Sequence, residues 1–295
     1  MAVFIVGLVV GAIVGVMAGA AGMNLLASQG EPQSAVVAKK PVLAQKAEPR
    51  LPELQTVKPT PGQPVVVGVF GDSMGDGLWA GVYRQLHDDK GYQVIRYSQA
   101  STGLARYDYV DIQKQTEEQL DGKHIDVAIV LFGANDEQGI ISDGKVLPFG
   151  SAGWRQVYGQ RIADLTALLR QHGAAVYWVG LPRMKRPDYD KRAAVLTSFY
   201  AEQSAALGMP FIDLVPATID EKGQYQAYLV PEGDDTPRLM RAKDGIHMTM
   251  AGYLRIARPV TDRLKSDVAA ALAAAPAGQV SALASDPASP PPSGR

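Results

Sequence analysis

Short apolar runs rich in β-branched residues recur through the middle of the chain, alternating with stretches whose apolar positions follow helical spacing. Val65-Val66-Val67-Gly68-Val69-Phe70 is the first run, and its unbroken apolar character is that of a strand covered on both faces in a parallel sheet. A helix is predicted over 79–88, a second strand over 92–97, a third over 125–132, and a helix over 154–171 that stops at Gly173. A fourth strand over 175–179, a helix over 192–207 stopped at Gly208 and a short fifth strand over 211–214 continue the alternation. Residues 220–239, with Tyr225 and Tyr228 among Gly and acidic residues, read as a hairpin or loop excursion. An amphipathic helix over 250–267 closes the series. Strands alternating with helices predict a doubly wound α/β layer, in which the loops at the carboxyl ends of the strands converge on one crevice.

The two ends follow a different pattern. The first 30 residues carry no charge, and the apolar stretch 2–26 is long enough to cross a hydrocarbon core. Residues 1–27 are therefore expected to form a transmembrane anchor. A cleaved signal peptide is the competing reading, given the small residues Ala18-Gly19-Ala20, but no Lys or Arg precedes the run and it exceeds the usual h-region. Gly7, Gly11, Gly15 and Gly19 recur every four residues and on a helix would form one smooth strip, open to helix–helix contact. Residues 28–63, rich in Pro, Gln, Ala and Lys without apolar periodicity, read as a flexible linker. Residues 270–295, rich in Ala, Pro and Ser, read as a disordered tail, which leaves 64–269 as the folded domain.

Net charge is −1 and the basic residues are scattered, so there is no electrostatic footprint of a nucleic-acid partner. The chain has no cysteine, which excludes disulfides, thiolate metal sites and a thiol nucleophile.

Three polar motifs follow predicted strands or stand before the last helix. Gly71-Asp72-Ser73-Met74 places a serine after the first strand, and Gly133-Ala134-Asn135-Asp136 places an amide after the third. Asp244-Gly245-Ile246-His247 sets a carboxylate and an imidazole three residues apart. Alone, Ser73 reads equally well as a helix N-cap, and Asp244 as an ordinary turn residue. Together they hold the nucleophile, base, orienting acid and oxyanion donor that acyl transfer by serine requires. Gly71 to Gly75 also fits the G-x-S-x-G elbow of α/β-hydrolases, but here the serine follows the first strand and the acid and base share one turn, so the fit is taken as accidental. A metal site at Asp244 and His247 lacks a third ligand, and His87, His124 and His172 sit in polar segments. Asp72 and Asp136 are expected to cap helices or bond loop backbone. Arg183 with Lys185 and Arg186, and Arg238 with Arg241 and Lys243, are candidates for attracting an anionic substrate.

These motifs resemble the four signature blocks of the SGNH (GDSL-type) hydrolase superfamily: 71–74 the serine block, Gly103 within Ser101-Thr102-Gly103-Leu104 the glycine block, 133–136 the G-x-N-D block and 244–247 the D-x-x-H block. Ser-Thr-Gly-Leu followed by Arg106, Asp108 and Asp111, then residues 178–182 and 241–247, look more closely like a bacterial branch of domains of unknown function. The resemblance covers about 65–263. It implies a three-layer α/β/α sandwich with a central five-stranded parallel sheet of flavodoxin-like order. It implies Ser73 as nucleophile, His247 as base and Asp244 as its orienter, with an oxyanion hole from the Ser73 and Gly103 N–H groups and the Asn135 amide, and neither metal nor cofactor. The expected activity is an esterase or O-acyltransferase for small acyl esters, acetylated envelope glycans above all. With the predicted anchor, this places the domain in the periplasm on a bacterial inner membrane. The alternatives are a lipase, lysophospholipase or thioesterase, and a non-catalytic binding module on the same fold.

Overall fold

The computed structural model describes residues 56–274 apart from Glu232. The predicted anchor over 1–27 with its glycine strip, most of the linker, and all of the tail beyond 274 lie outside the described residues. Among the described residues no helix is long and apolar enough to cross a membrane.

In chain order the elements are β1 (Val65–Gly71), α1 (Ser73–Leu86), β2 (Tyr92–Arg96), α2 (Ile112–Leu120) and β3 (Val127–Leu131). A hairpin of β4 (Ile140–Ser142) and β5 (Lys145–Leu147) leads to α3 (Ala152–Gln171), β6 (Ala175–Val179), α4 (Pro187–Leu207) and β7 (Phe211–Ile212). A 3₁₀ turn (Val215–Thr218), a second hairpin of β8 (Tyr228–Leu229) and β9 (Arg238–Leu239), and α5 (Met250–Ala274) complete the chain.

Five strands form one parallel sheet in the order β2-β1-β3-β6-β7, the flavodoxin-like order that the resemblance implies. β3 and β6 are buried at every position, because helices cover both faces. Right-handed crossovers account for the layers. The step from β1 to β2 carries α1 to one face; the return to β3 and the steps to β6 and β7 carry α2, α3 and α4 to the other. α5 packs along α1. Glycines permit that close approach: a Cβ at Gly81 would stand 2.5 Å from the Tyr253 carbonyl oxygen, and one at Gly77 would overlap the Tyr253 ring.

The sequence misplaced several boundaries. α1 begins at Ser73, ahead of the predicted start at 79, with Asp72 as its N-cap accepting from the Met74 N–H. α2 and the β4–β5 hairpin had not been foreseen. The linker ends earlier than 63, because Val57 is 1 % exposed and joins the core. The last helix runs past 269 to Ala274, with Ala271 still packed on the core.

Candidate active site

Strand order reverses between β1 and β3, the switch point at which loops leaving the carboxyl ends of an open sheet gather functional groups. The serine, glycine and G-x-N-D blocks occupy the loops after β1, β2 and β3, and the D-x-x-H block immediately precedes α5. α5 packs on α1, whose first residue is Ser73, so the D-x-x-H turn arrives beside that serine.

Ser73 Oγ lies 2.7 Å from His247 Nε2, across 174 residues of chain. His247 Nδ1 lies 2.7 Å from Asp244 Oδ2, while Asp244 Oδ1 accepts from the Ile246 and His247 backbone N–H groups at 2.9 and 3.0 Å. The turn thus locks the carboxylate before the imidazole uses it. With the Nδ1 proton facing Asp244, the Nε2 lone pair is left toward Ser73 Oγ. Partial burial pushes the Asp244 carboxyl up, but the hydrogen bonds from the His247 ring and the two backbone N–H groups outweigh it and hold it below its ordinary value of 3.8.

On the loop after β3, Asn135 Nδ2 donates to the Thr102 carbonyl at 2.9 Å, committing one amide hydrogen and leaving the second. Among the described residues, no hydrogen bond uses the backbone N–H of Ser73 or of Gly103. Position 103 must be glycine for a steric reason: a Cβ there would stand 2.2 Å from Asp136 Oδ1.

Asp72 and Asp136 are fully buried beneath these groups. Besides capping α1, Asp72 accepts from the Gly133 and Ala134 N–H groups at 3.0 and 2.8 Å. Asp136 accepts from the Leu104 and Ala105 N–H groups at 3.1 and 2.8 Å and from the Tyr158 hydroxyl at 2.7 Å. Burial, and then the charge of Asp136, push the Asp72 carboxyl up to about 7 against the pull of its three N–H donors. Burial raises Asp136 as well, opposed by Tyr158 and its two backbone donors.

Of the three arginines suggested for anion binding, two sit in partly exposed ion pairs and the third is buried. Arg183 pairs with Asp190 at 3.0 Å and Arg238 with Asp234 at 2.6 Å. Arg241 is 2 % exposed, donates to the Ile246 carbonyl at 3.3 Å and lies over the Tyr225 ring. It braces the D-x-x-H turn from within, and its guanidinium has no open face for a substrate. His87, His124 and His172 stand away from the site, bonded to the Arg84 carbonyl, the Asp126 carboxylate and the Lys123 carbonyl. Among the described residues, no three His, Cys, Asp or Glu side chains gather into a metal-holding group.

Sequence reasoning missed the braces of the rim. Tyr189 of α4 donates to the Ala134 carbonyl at 2.7 Å, and Arg192 pairs with Glu137 at 2.7 Å, so α4 holds the loop after β3 from outside. The only signal for Tyr158 and Tyr189 in the sequence is a polar-tipped aromatic within a helix.

The family of proteins of unknown function DUF459 matches residues 66–263, about two thirds of the chain. The chain belongs to the DUF459 family. That fits the sequence resemblance, which pointed to a branch of unknown function among SGNH hydrolases. Among solved structures, this DUF459 chain is similar to a GDSL-like lipase from Bacteroides thetaiotaomicron, at 16 % identity over 71 % of this chain and 91 % of that one, with a TM-score of 0.49. It is also similar to a carbohydrate acetylesterase family member from Sinorhizobium meliloti, at 14 % identity over 70 % and 99 % of the two chains, with a TM-score of 0.47. No curated protein matches the DUF459 chain in sequence.

Proposed function

We propose that the chain is a serine esterase or O-acyltransferase that works through an acyl-Ser73 intermediate on small acyl esters, acetyl esters of cell-envelope polysaccharide foremost. The observation that supports this reading is the line from Ser73 Oγ through His247 to Asp244, with both links at 2.7 Å. Ser73 Oγ attacks the ester carbonyl carbon as its proton passes to His247 Nε2, and Asp244 steadies the imidazolium through Nδ1. The oxyanion is met by the Ser73 and Gly103 N–H groups and the second Asn135 amide hydrogen. Collapse breaks the bond to the leaving alcohol, which takes the proton from Nε2 and leaves Ser73 acylated. Water or a sugar hydroxyl then attacks, giving its proton to His247, and Ser73 is regenerated. Hydrolysis and transfer share the first half-reaction. In this reading the apolar segment 2–26 anchors the chain, and the domain faces envelope glycans outside the cytoplasmic membrane.

The test uses the full chain in detergent with an activated acetyl ester and glycan acceptors, following turnover and intact mass. Ser73→Ala should remove turnover and the acetylated species while the melting temperature holds. Turnover that survives in Ser73→Ala would end the proposal, and a preference for long acyl chains would move it to the lipase or thioesterase class.

A further inference from the structure

We propose that Asp72 and Asp136 are a linked pair of positioning residues that register the three rim loops against one another, so that the Ser73, Gly103 and Asn135 donors point at one spot; this rests on the acyl-serine reading above. Neither carboxylate is bonded to Ser73 Oγ, His247 or Asp244. Each instead spends its acceptor positions across loops. Asp72 joins the start of α1 to the loop after β3 through Met74, Gly133 and Ala134. Asp136, on that second loop, reaches the loop after β2 through Leu104 and Ala105, the residues that follow Gly103. Asn135 lies between the two ties in sequence and adds its own bond to Thr102, the residue before Gly103. Donors on the loops after β3 and β2 are therefore each held by a carboxylate of a neighbouring loop, Asp72 and Asp136 in turn.

The registration extends into the helical layer. Tyr158 of α3 donates to Asp136 and stands 2.7 Å from the hydroxyl of Tyr200 of α4, which also reaches the Phe132 carbonyl at 3.3 Å. Both rings are buried, and Tyr158 is stacked on Trp154. The rim is thereby referenced to a rigid surface rather than to solvent.

The chemistry requires two accepting oxygens and not merely the volume of the side chain. At Asp136, Oδ1 faces the Ala105 N–H and Oδ2 faces the Leu104 N–H and the Tyr158 hydroxyl. An amide of the same shape must turn an N–H toward a backbone N–H whichever way it is flipped. The same conflict holds at Asp72, where Oδ1 faces Met74 and Oδ2 faces Gly133 and Ala134. Asp136→Asn therefore keeps the packing and loses the registration.

The experiment measures kcat and KM of the full chain on an activated acetyl ester, well below the melting temperature, in Asp136→Asn and Tyr158→Phe. Asp136→Asn should lower kcat about 30- to 100-fold with KM within about twofold, on the scale of a misplaced oxyanion donor. Tyr158→Phe, which removes one hydroxyl and leaves the ring stack, should lower it about five- to tenfold. In an Asn135→Ala background the Asp136→Asn loss should shrink to under about threefold, because residues acting as one unit are not additive. A role confined to stability predicts additive losses. Amide hydrogen exchange supplies a readout independent of turnover: the Leu104 and Ala105 amides should exchange faster in either variant, with the β1 and β3 amides unchanged. Unchanged kcat in both variants, full additivity with Asn135→Ala, or unchanged exchange at 104–105 would overturn the inference. Failure of the acyl-serine reading is seen separately, as a parent chain with neither turnover nor labelling by a serine-reactive phosphonate; the exchange measurement then still decides whether the tie exists.

Discussion

Gly103→Ala tests the geometry of the rim with a single methyl group. The added Cβ would stand 2.2 Å from Asp136 Oδ1 and 3.0 Å from its Cγ, and Cβ atoms essentially never approach closer than 3.0 Å. Asp136 is not a flexible tip that can swing aside, because it is held by Leu104, Ala105 and Tyr158. The backbone at 103 must therefore recede until the 2.2 Å contact opens to at least 3.0 Å, and it carries its N–H with it. A displacement approaching an ångström is enough to cost about 100-fold in rate, and loss of one oxyanion donor costs about 2.7–4 kcal/mol of transition-state stabilisation. The expected result is a fall in kcat of about 100-fold with KM little changed, since the ground-state ester makes no strong bond to the donor. Overpacking of about 1–3 kcal/mol should also lower the melting temperature by several degrees. Steady-state kinetics on an activated acetyl ester and a thermal melt read both effects. A variant with kcat within threefold of the parent would show that the Gly103 N–H does not serve the oxyanion.

Asp244→Asn should keep the turn, because the amide oxygen can still accept from Ile246 and His247, yet its N–H would face Nδ1 and force the proton onto Nε2; kcat should fall about 10³- to 10⁴-fold with an unchanged melt. Arg241→Met should destabilise the domain by about 2–3 kcal/mol, measured by urea unfolding, because the brace on Ile246 is lost while most of the buried volume is kept. The Asp72 carboxyl is raised from 3.8 to about 7 in the fold, so between those values the native state binds the extra proton and the unfolded chain does not. Its contribution to stability should be complete below about pH 4 and lost as pH rises through 7; Asp72→Ala should flatten that component of the urea midpoint against pH, and an unaltered slope would refute the assignment. Asp244, lowered in the fold, acts with the opposite sign, contributing stability above its ordinary range that is lost as pH falls below it.

The centre of the sheet was legible because its inner strands are buried on both faces and so spell out unbroken apolar runs, as at 127–131 and 175–179. α2 was not, since Ile112–Leu120 is mostly Gln, Glu and Lys and buries only three residues. The start of α1 was obscured by Gly75 and Gly77, poor helix formers kept for close packing on β1, β3 and α5, although the Asp72 cap lay in plain sight. At the site, the four blocks were readable because polar residues interrupt apolar strands there. The fate of the arginines was not: charge alone implies a solvated surface, whereas Arg241 is buried by contacts with Tyr225 and Ile246 that only the folded chain brings together.

The distance along the chain between Ser73 and His247 has a consequence for biosynthesis. A growing polypeptide that has displayed its hydroxyl must be extended by 174 further residues before the imidazole exists to activate it. At typical elongation speeds this interval is roughly 10–35 s, and docking of α5 on α1 must follow before the two groups meet. On the proposed acyl-serine reading, nascent chains halted on the ribosome before His247 is made and α5 has docked should be inert toward esters.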